Sequence, residues 1–156
     1  MIIQGKAYWA KIIGAPQGGF DKSVLEWSMD LAIDAETRKK LEAEGLKSKI
    51  KNKGDDRGDF IQFKRKAVKS DGTSAKPIRV VGPGGKNDLW DDRKIGNGSK
   101  VNVSMVINDT EYGGKKFKKP GIIAVQVIDY VPYEGGDYEE FPEYDDAGTE
   151  QWGDET

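Results

Sequence analysis

Between residues 24 and 34 apolar and polar positions alternate, with Leu25, Trp27, Met29, Leu31 and Ile33 on one parity and Glu26, Ser28, Asp30 and Ala32 on the other. A period of two over this length predicts a strand with one buried face, and Trp27 belongs to that face. Residues 2–13, rich in β-branched and aromatic side chains, predict an earlier strand that ends in a Gly/Pro cluster at 14–19. Four more strands are expected over residues 59–68, 77–81, 99–107 and 122–131. The fifth of the six alternates Val101, Val103, Met105 and Ile107, and the last is the most apolar and the best candidate for a central place. One helix is expected, over residues 35–44, from its run of strong helix formers. There Asp34 can cap the first-turn amides, Glu36 favours the positive end of the dipole, Leu41 supplies the apolar contact and Gly45 ends the helix. Residues 46–58 and 82–98 read as glycine- and charge-rich loops, and 108–121 as a long basic connection. No internal repeat is present.

These elements predict an all-β fold with one short helix. A small OB-fold, a five-stranded Greek-key β-barrel, fits the length and would bury the alternating apolar faces while removing exposed strand edges. A β-sandwich would show the same periodicity. From residue 134 the alternation stops and the chain becomes Asp, Glu, Gly and Tyr, too polar to offset the entropy of ordering. The reading is therefore a folded domain at 1–133 and a disordered acidic tail at 134–156.

Composition sharpens this picture. Cysteine and histidine are both absent, which excludes disulfides, thiolate metal sites and the commonest general base. No apolar run is long enough to span a bilayer and residues 1–6 do not form a signal peptide, so no membrane partner is expected. The acidic clusters Asp55, Asp56, Asp59 and Asp88, Asp91, Asp92 fall in expected loops, with Asp59 at the edge of one where a strand begins, rather than together on the rigid elements a metal nuclease needs. The run Gly82-Pro83-Gly84-Gly85-Lys86 lacks the spacing and following hydroxyl of a nucleotide-binding loop. No cofactor, metal or catalytic residue is predicted.

Charge is segregated. The tail holds ten carboxylates and no lysine or arginine, leaving residues 1–133 with 25 basic residues against 17 acidic (27 less those ten), a net of +8. A basic body beside an acidic appendage points to a polyanionic partner for the body. In the stretch Phe60-Ile61-Gln62-Phe63-Lys64-Arg65-Lys66, Ile61, Phe63 and Ala67 would point inward. Phe60, Gln62, Lys64 and Lys66 would share the outer face, and Arg65 would lie near a barrel end. An aromatic ring for a base and lysines for phosphates suit single-stranded nucleic acid. A solvated face with an incidental aromatic is the plainer reading of the same stretch. Further candidates are Tyr8 and Trp9 (of which strand alternation allows one as a stacking platform), Arg79, Trp90 beside Arg93 and Lys94, Lys100, and Tyr112 with Lys115 and Lys116. Residues 95–99, Ile-Gly-Asn-Gly-Ser, read as a tight turn into a strand.

The order of these features resembles the single-stranded DNA-binding proteins of short-tailed (podoviral) phages. The resemblance is carried by the strand ending Asp30-Leu31-Ala32-Ile33 before a charged helix, the aromatic-lysine alternation of residues 60–66, the turn Ile95-Gly96-Asn97-Gly98-Ser99-Lys100-Val101, and an apolar strand at 121–131 followed directly by an acidic tail. It covers residues 20–156. It implies an OB fold and a non-enzymatic protein that coats single-stranded DNA in phage replication, recombination and repair, in the cytoplasm of an infected bacterium. It also implies tail contacts to the DNA polymerase and helicase-primase through Glu139, Glu140, Asp145, Asp146, Trp152, Asp154 and Glu155, and dimerisation through the tail. The family's tail commonly ends in an aromatic residue. This chain ends Asp154-Glu155-Thr156, and Trp152 is the nearest aromatic to take that role. A tail with closely spaced negative charge could also occupy the basic groove until DNA displaces it. The reading from a different class is a virion-associated structural or interaction protein kept soluble by its tail. An RNA-binding OB module is the third, since 2′-hydroxyl contacts leave no short motif.

Overall fold

Ten β-branched and aromatic-rich positions at the start of the chain form β1 (Ile2–Lys11), which becomes the middle strand of the fold. In the computed structural model, which describes residues 1–18 and 22–133, it is followed by β2 (Gln17–Gly18), β3 (Leu25–Ala32), α1 (Ala35–Ala43), a 3-10 turn (Lys47–Lys49), β4 (Ile50–Asn52), β5 (Asp59–Lys66), β6 (Arg79–Val81), β7 (Ser99–Tyr112) and β8 (Lys115–Asp129). The expected acidic tail, with all of its candidate residues, lies outside the described residues.

The strands form one sheet in the order β4-β5-β3-β1-β7-β8-β6, with β2 beside β3. Neighbours are antiparallel except β6, which runs parallel to β8. The sheet curls until β5 approaches β8. There Arg65, inward by parity, sends Nε to the Lys76 carbonyl (2.8 Å) and Nη1 to the Ile122 carbonyl (3.4 Å). A cation on the inward parity is tolerated because it lies at this seam, where the Lys76 and Ile122 carbonyls accept its protons. The arrangement is an OB fold, with β1, β3, β5, β7 and β8 as its five principal strands.

The inward parities of these strands make the core. Ile3 and Ala7, Trp27, Met29 and Leu31, Ile61 and Phe63, Val101, Val103 and Met105, and Ile122, Val125 and Val127 are all buried. Each large side chain withdrawn from water contributes roughly 1.5–3 kcal/mol. Trp27 keeps a polar contact, its Nε1 donating to the Gly14 carbonyl at 3.0 Å. The helix forms where expected: Asp34 Oδ1 accepts the Thr37 amide at 2.8 Å, and Gly45 ends the run. Leu41 and Leu46 extend the core from the helical segment.

Four expectations are corrected. Residues 46–58 are not loop throughout, because Leu46 is buried and β4 pairs with β5. Residues 108–121 are not a connection: β7 and β8 run on past the barrel as a two-stranded arm, turning at Gly113 and Gly114. Both glycines have positive φ (59° and 81°), which a tight two-residue hairpin turn demands. The charge there masked a strand signal, since a hairpin exposed on both faces has no apolar parity to display. Leu25, at the mouth of β3, is 49% exposed rather than core. Phe60 keeps its expected outer parity but is covered there, only 2% exposed.

Candidate functional site

Register places the outward side chains of neighbouring strands in rows. One row runs Lys100 (β7), Lys6 (β1), Ala32 (β3), Phe60 (β5), Lys51 (β4). The next holds Tyr8, Asp30 and Gln62, and the one beyond it Lys11, Ser28 and Lys64, with Glu26 and Lys66 following. Two lysine-bearing rows thus lie roughly 13 Å apart, four residues along β3, with aromatic groups between them. Lys6 and Lys100 stand directly opposite each other. Like charges so placed destabilise a strand pair, and Asp129 on the far side of Lys100 compensates only in part. A polyanion laid across the face would remove that repulsion.

The middle of the face is built by a bulge. Between Tyr8 and Lys11, β1 spends three steps where β3, from Asp30 to Ser28, spends two. Trp9 is the extra residue, with φ of 47°, in the left-handed region that tryptophan rarely enters. Such a conformation costs on the order of 1–3 kcal/mol and persists only where the surroundings enforce it. Here the Asn97 side chain accepts the Trp9 amide at 2.7 Å and the Gly98 amide bonds the Ala7 carbonyl at 2.8 Å, so the glycine turn before β7 holds the bulge. The expectation that only one of Tyr8 and Trp9 could face outward is corrected. The bulge breaks the alternation and places both rings on the outer face, centroids 6.3 Å apart, with Trp9 53% exposed.

Arg57, from the loop between β4 and β5, covers Phe60. Its guanidinium carbon lies 3.8 Å from the Phe60 ring centroid and 4.4 Å from that of Trp9. Asp30 accepts Nη1 at 2.7 Å, and Asp55 accepts Nε at 3.0 Å and also Nη2. Those bonds, from Asp55 first and Asp30 after it, hold the guanidinium above its usual range against the opposing effect of burial. The Asp55 carboxyl is correspondingly held below the ordinary value of 3.8, chiefly by its bonds to Arg57.

The sequence candidates therefore divide. Tyr8, Trp9, Phe60, Lys64, Lys66 and Lys100 come together on this outer face, Phe60 only as the floor of a stack. Tyr112, Lys115 and Lys116 lie on the arm. Its register gives it two different faces. One carries Tyr112/Lys115, Thr110/Phe117 and Asn108/Lys119, without a carboxylate. The other pairs Glu111 with Lys116 and Asp109 with Lys118. Tyr112 is 81% and Phe117 41% exposed on the uncompensated face, while Lys116 falls on the balanced one. Arg79 and Trp90 belong elsewhere. Arg79 donates to the Lys86 carbonyl at 2.6 Å from the β6 edge. Trp90 packs on Tyr130 (5.1 Å) with the Arg93 guanidinium 4.2 Å from its ring.

Lys6 and Lys11, which flank Tyr8 and Trp9 in the sequence, join the face; Lys51 and Arg57 complete it and carry no such signal. The clue to Arg57 was present in Gly54-Asp55-Asp56-Arg57-Gly58, a lone arginine among carboxylates and glycines. No three of the carboxylates among the described residues gather as metal ligands. Asp55 binds Arg57, Asp59 binds Arg38 and Asn52, and Asp88 accepts the Gly84 amide.

No protein-family model matches the chain, and no curated protein gives a significant match. Among solved structures, the chain is similar to gp2.5, a single-stranded DNA-binding protein encoded by bacteriophage T7, with a TM-score of 0.52, 20% identity, and coverage of 88% of this chain and 91% of that one. It is also similar to the single-stranded DNA-binding protein of bacteriophage Enc34. The C-terminally truncated form gives a TM-score of 0.56 at 15% identity over 85% of this chain and 88% of that one. The complex with single-stranded DNA gives 0.56 at 15% identity over 86% and 89%. At these identities the likeness is one of fold, and it spans most of each chain.

Proposed function

We propose that this chain is a non-enzymatic single-stranded DNA-binding protein of phage type. The observation that carries the reading is the outer face of β1, β3 and β5, where exposed Trp9 and half-buried Tyr8 lie between rows of exposed lysines. Rings receive bases and lysines neutralise phosphates, a division of labour that is tolerant of sequence. The fold shared with the T7 and Enc34 proteins, both described as binding single-stranded DNA, supports the same reading. The arm's uncompensated face, with Tyr112, Phe117, Lys115 and Lys119, extends the interface beyond the barrel. Arg79 and Trp90 lie outside it.

In this proposal the protein coats exposed strands during phage replication, recombination and repair in the host cytoplasm. Residues 134–156 recruit the polymerase and helicase-primase, with Trp152 among their contacts, and can link two copies. The same residues compete with DNA for the basic face. The +8 body beside a ten-carboxylate tail supports that competition.

The test is a titration of fluorescently labelled single-stranded DNA, with RNA and duplex of equal length alongside, at several salt concentrations. Tight binding to the DNA strand is expected, with a slope of about −3 to −4 in log K against log salt if ~4–6 phosphates are neutralised. Equal weak binding to strand and duplex would leave a merely basic surface and overturn the proposal. Preference for RNA would reassign the substrate.

A further inference from the structure

We infer that Arg57 is a positioning residue of this single-strand site: its guanidinium plane props the Trp9 indole outward as a base-stacking platform. The inference rests on the proposed function and deepens it. Three layers stack from the sheet outward, Phe60, Arg57 and Trp9, with the guanidinium carbon 3.8 Å and 4.4 Å from the two ring centroids. Phe60 is buried and Trp9 remains 53% exposed, so the column has a closed floor and an open top. The bulge fixes the Trp9 backbone through Asn97, but a backbone bond does not fix a ring. The flat cation beneath it does.

An arginine on a basic face invites the simpler view that it binds phosphate. Its surroundings argue otherwise. Nη1 is given to Asp30, Nε and Nη2 to Asp55, and the side chain is 8% exposed. With both carboxylates counted, the Arg57 cluster carries a net charge of −1, which repels phosphate. Nor is Arg57 placed to swing aside for an incoming base, because two ion pairs would have to break. One of these is with Asp30, itself only 9% exposed. What the cluster offers a nucleic acid is a rigid flat surface presented through Trp9. The phosphate contacts belong to the lysine rows.

The experiment compares the full chain with Arg57→Lys, Trp9→Ala and the double variant. Each is titrated with a labelled oligo-dT strand at several salt concentrations, and folding is checked by denaturant unfolding. Lysine keeps a charge for Asp30 but lacks the plane. Arg57→Lys should weaken binding about tenfold, the scale of one stacked base, with the salt slope unchanged. The double variant should bind no more weakly than Trp9→Ala alone. Asp55→Glu, at the 42% exposed partner, displaces Arg57 at unchanged net charge without touching the buried pair and serves if Arg57→Lys does not fold. It should weaken binding at unchanged slope. Wild-type affinity in Arg57→Lys, Asp55→Glu or Trp9→Ala would overturn the inference. So would a flattened salt slope, which marks a phosphate contact, or tighter binding, which marks Arg57 as an occupant of the base's place. All of these leave the single-strand reading standing. That reading fails separately if the unaltered chain does not prefer a single strand to a duplex.

Discussion

Lys6 faces Lys100 across the β1–β7 ladder, a placement that folding alone disfavours. Lys6→Gln should therefore separate stability from function. The unfolding midpoint should stay level or rise as the repulsion disappears, while the salt slope for single-stranded DNA flattens by about 0.7, one phosphate's share. Parallel loss of stability and binding would mean that Lys6 is structural. Other positions show how far single residues can be read from sequence. Parity assigned Trp27 and Phe63 to the core, where both are buried. It placed Phe60 on the outer face correctly but could not see Arg57 arriving from another segment to cover it. At Gly5 a Cβ would stand 2.0 Å from the Ala32 carbonyl oxygen. That close crossing of β1 and β3 leaves no trace in the local pattern.

Among the elements, the arm formed by the ends of β7 and β8 carries the clearest asymmetry. Lys115 sits beside Tyr112 with no carboxylate on its face, and Lys116 sits opposite Glu111. Lys115→Glu should weaken single-strand binding several-fold more than Lys116→Glu, in titrations at one salt concentration, although the net charge change is identical. Equal effects would mean that only total charge matters. From sequence the arm reads as a connection because neither of its faces is buried. The helix, by contrast, was legible to within a residue, since Asp34, Leu41 and Gly45 act within a single local segment. The bulge at Trp9 was not legible. Its cause is a hydrogen bond to Asn97, 88 residues away.

For the whole molecule, acid should act through a few paired carboxylates. Asp34 is held below the ordinary 3.8 first by the Thr37 amide, Asp55 by Arg57, and Asp59 by Asn52 and then Arg38. Carboxyl groups with lowered values contribute stability that is complete above 3.8 and is lost as pH falls below it through their folded-state values. Unfolding midpoints should therefore hold from neutrality down to about pH 4 and drop beneath it. A midpoint that changed most between pH 5 and 7 would contradict this assignment. At the same scale, deleting residues 134–156 should tighten single-strand binding if the tail competes for the basic face. Weaker or unchanged binding would end that idea. By itself the sequence determined the alternating strands, the capped helix, the segregation of charge and the absence of cysteine and histidine chemistry. Each of these is set by neighbours within a few residues or by composition. Only the tertiary structure decided which outward residues share a row, that Trp9 and Tyr8 face the same way, that Arg57 stacks between Trp9 and Phe60, and that Arg79 and Trp90 stand apart. Those relations depend on strand register and on loops meeting across the sheet. Such contacts join residues tens of positions apart and leave no periodicity along the chain.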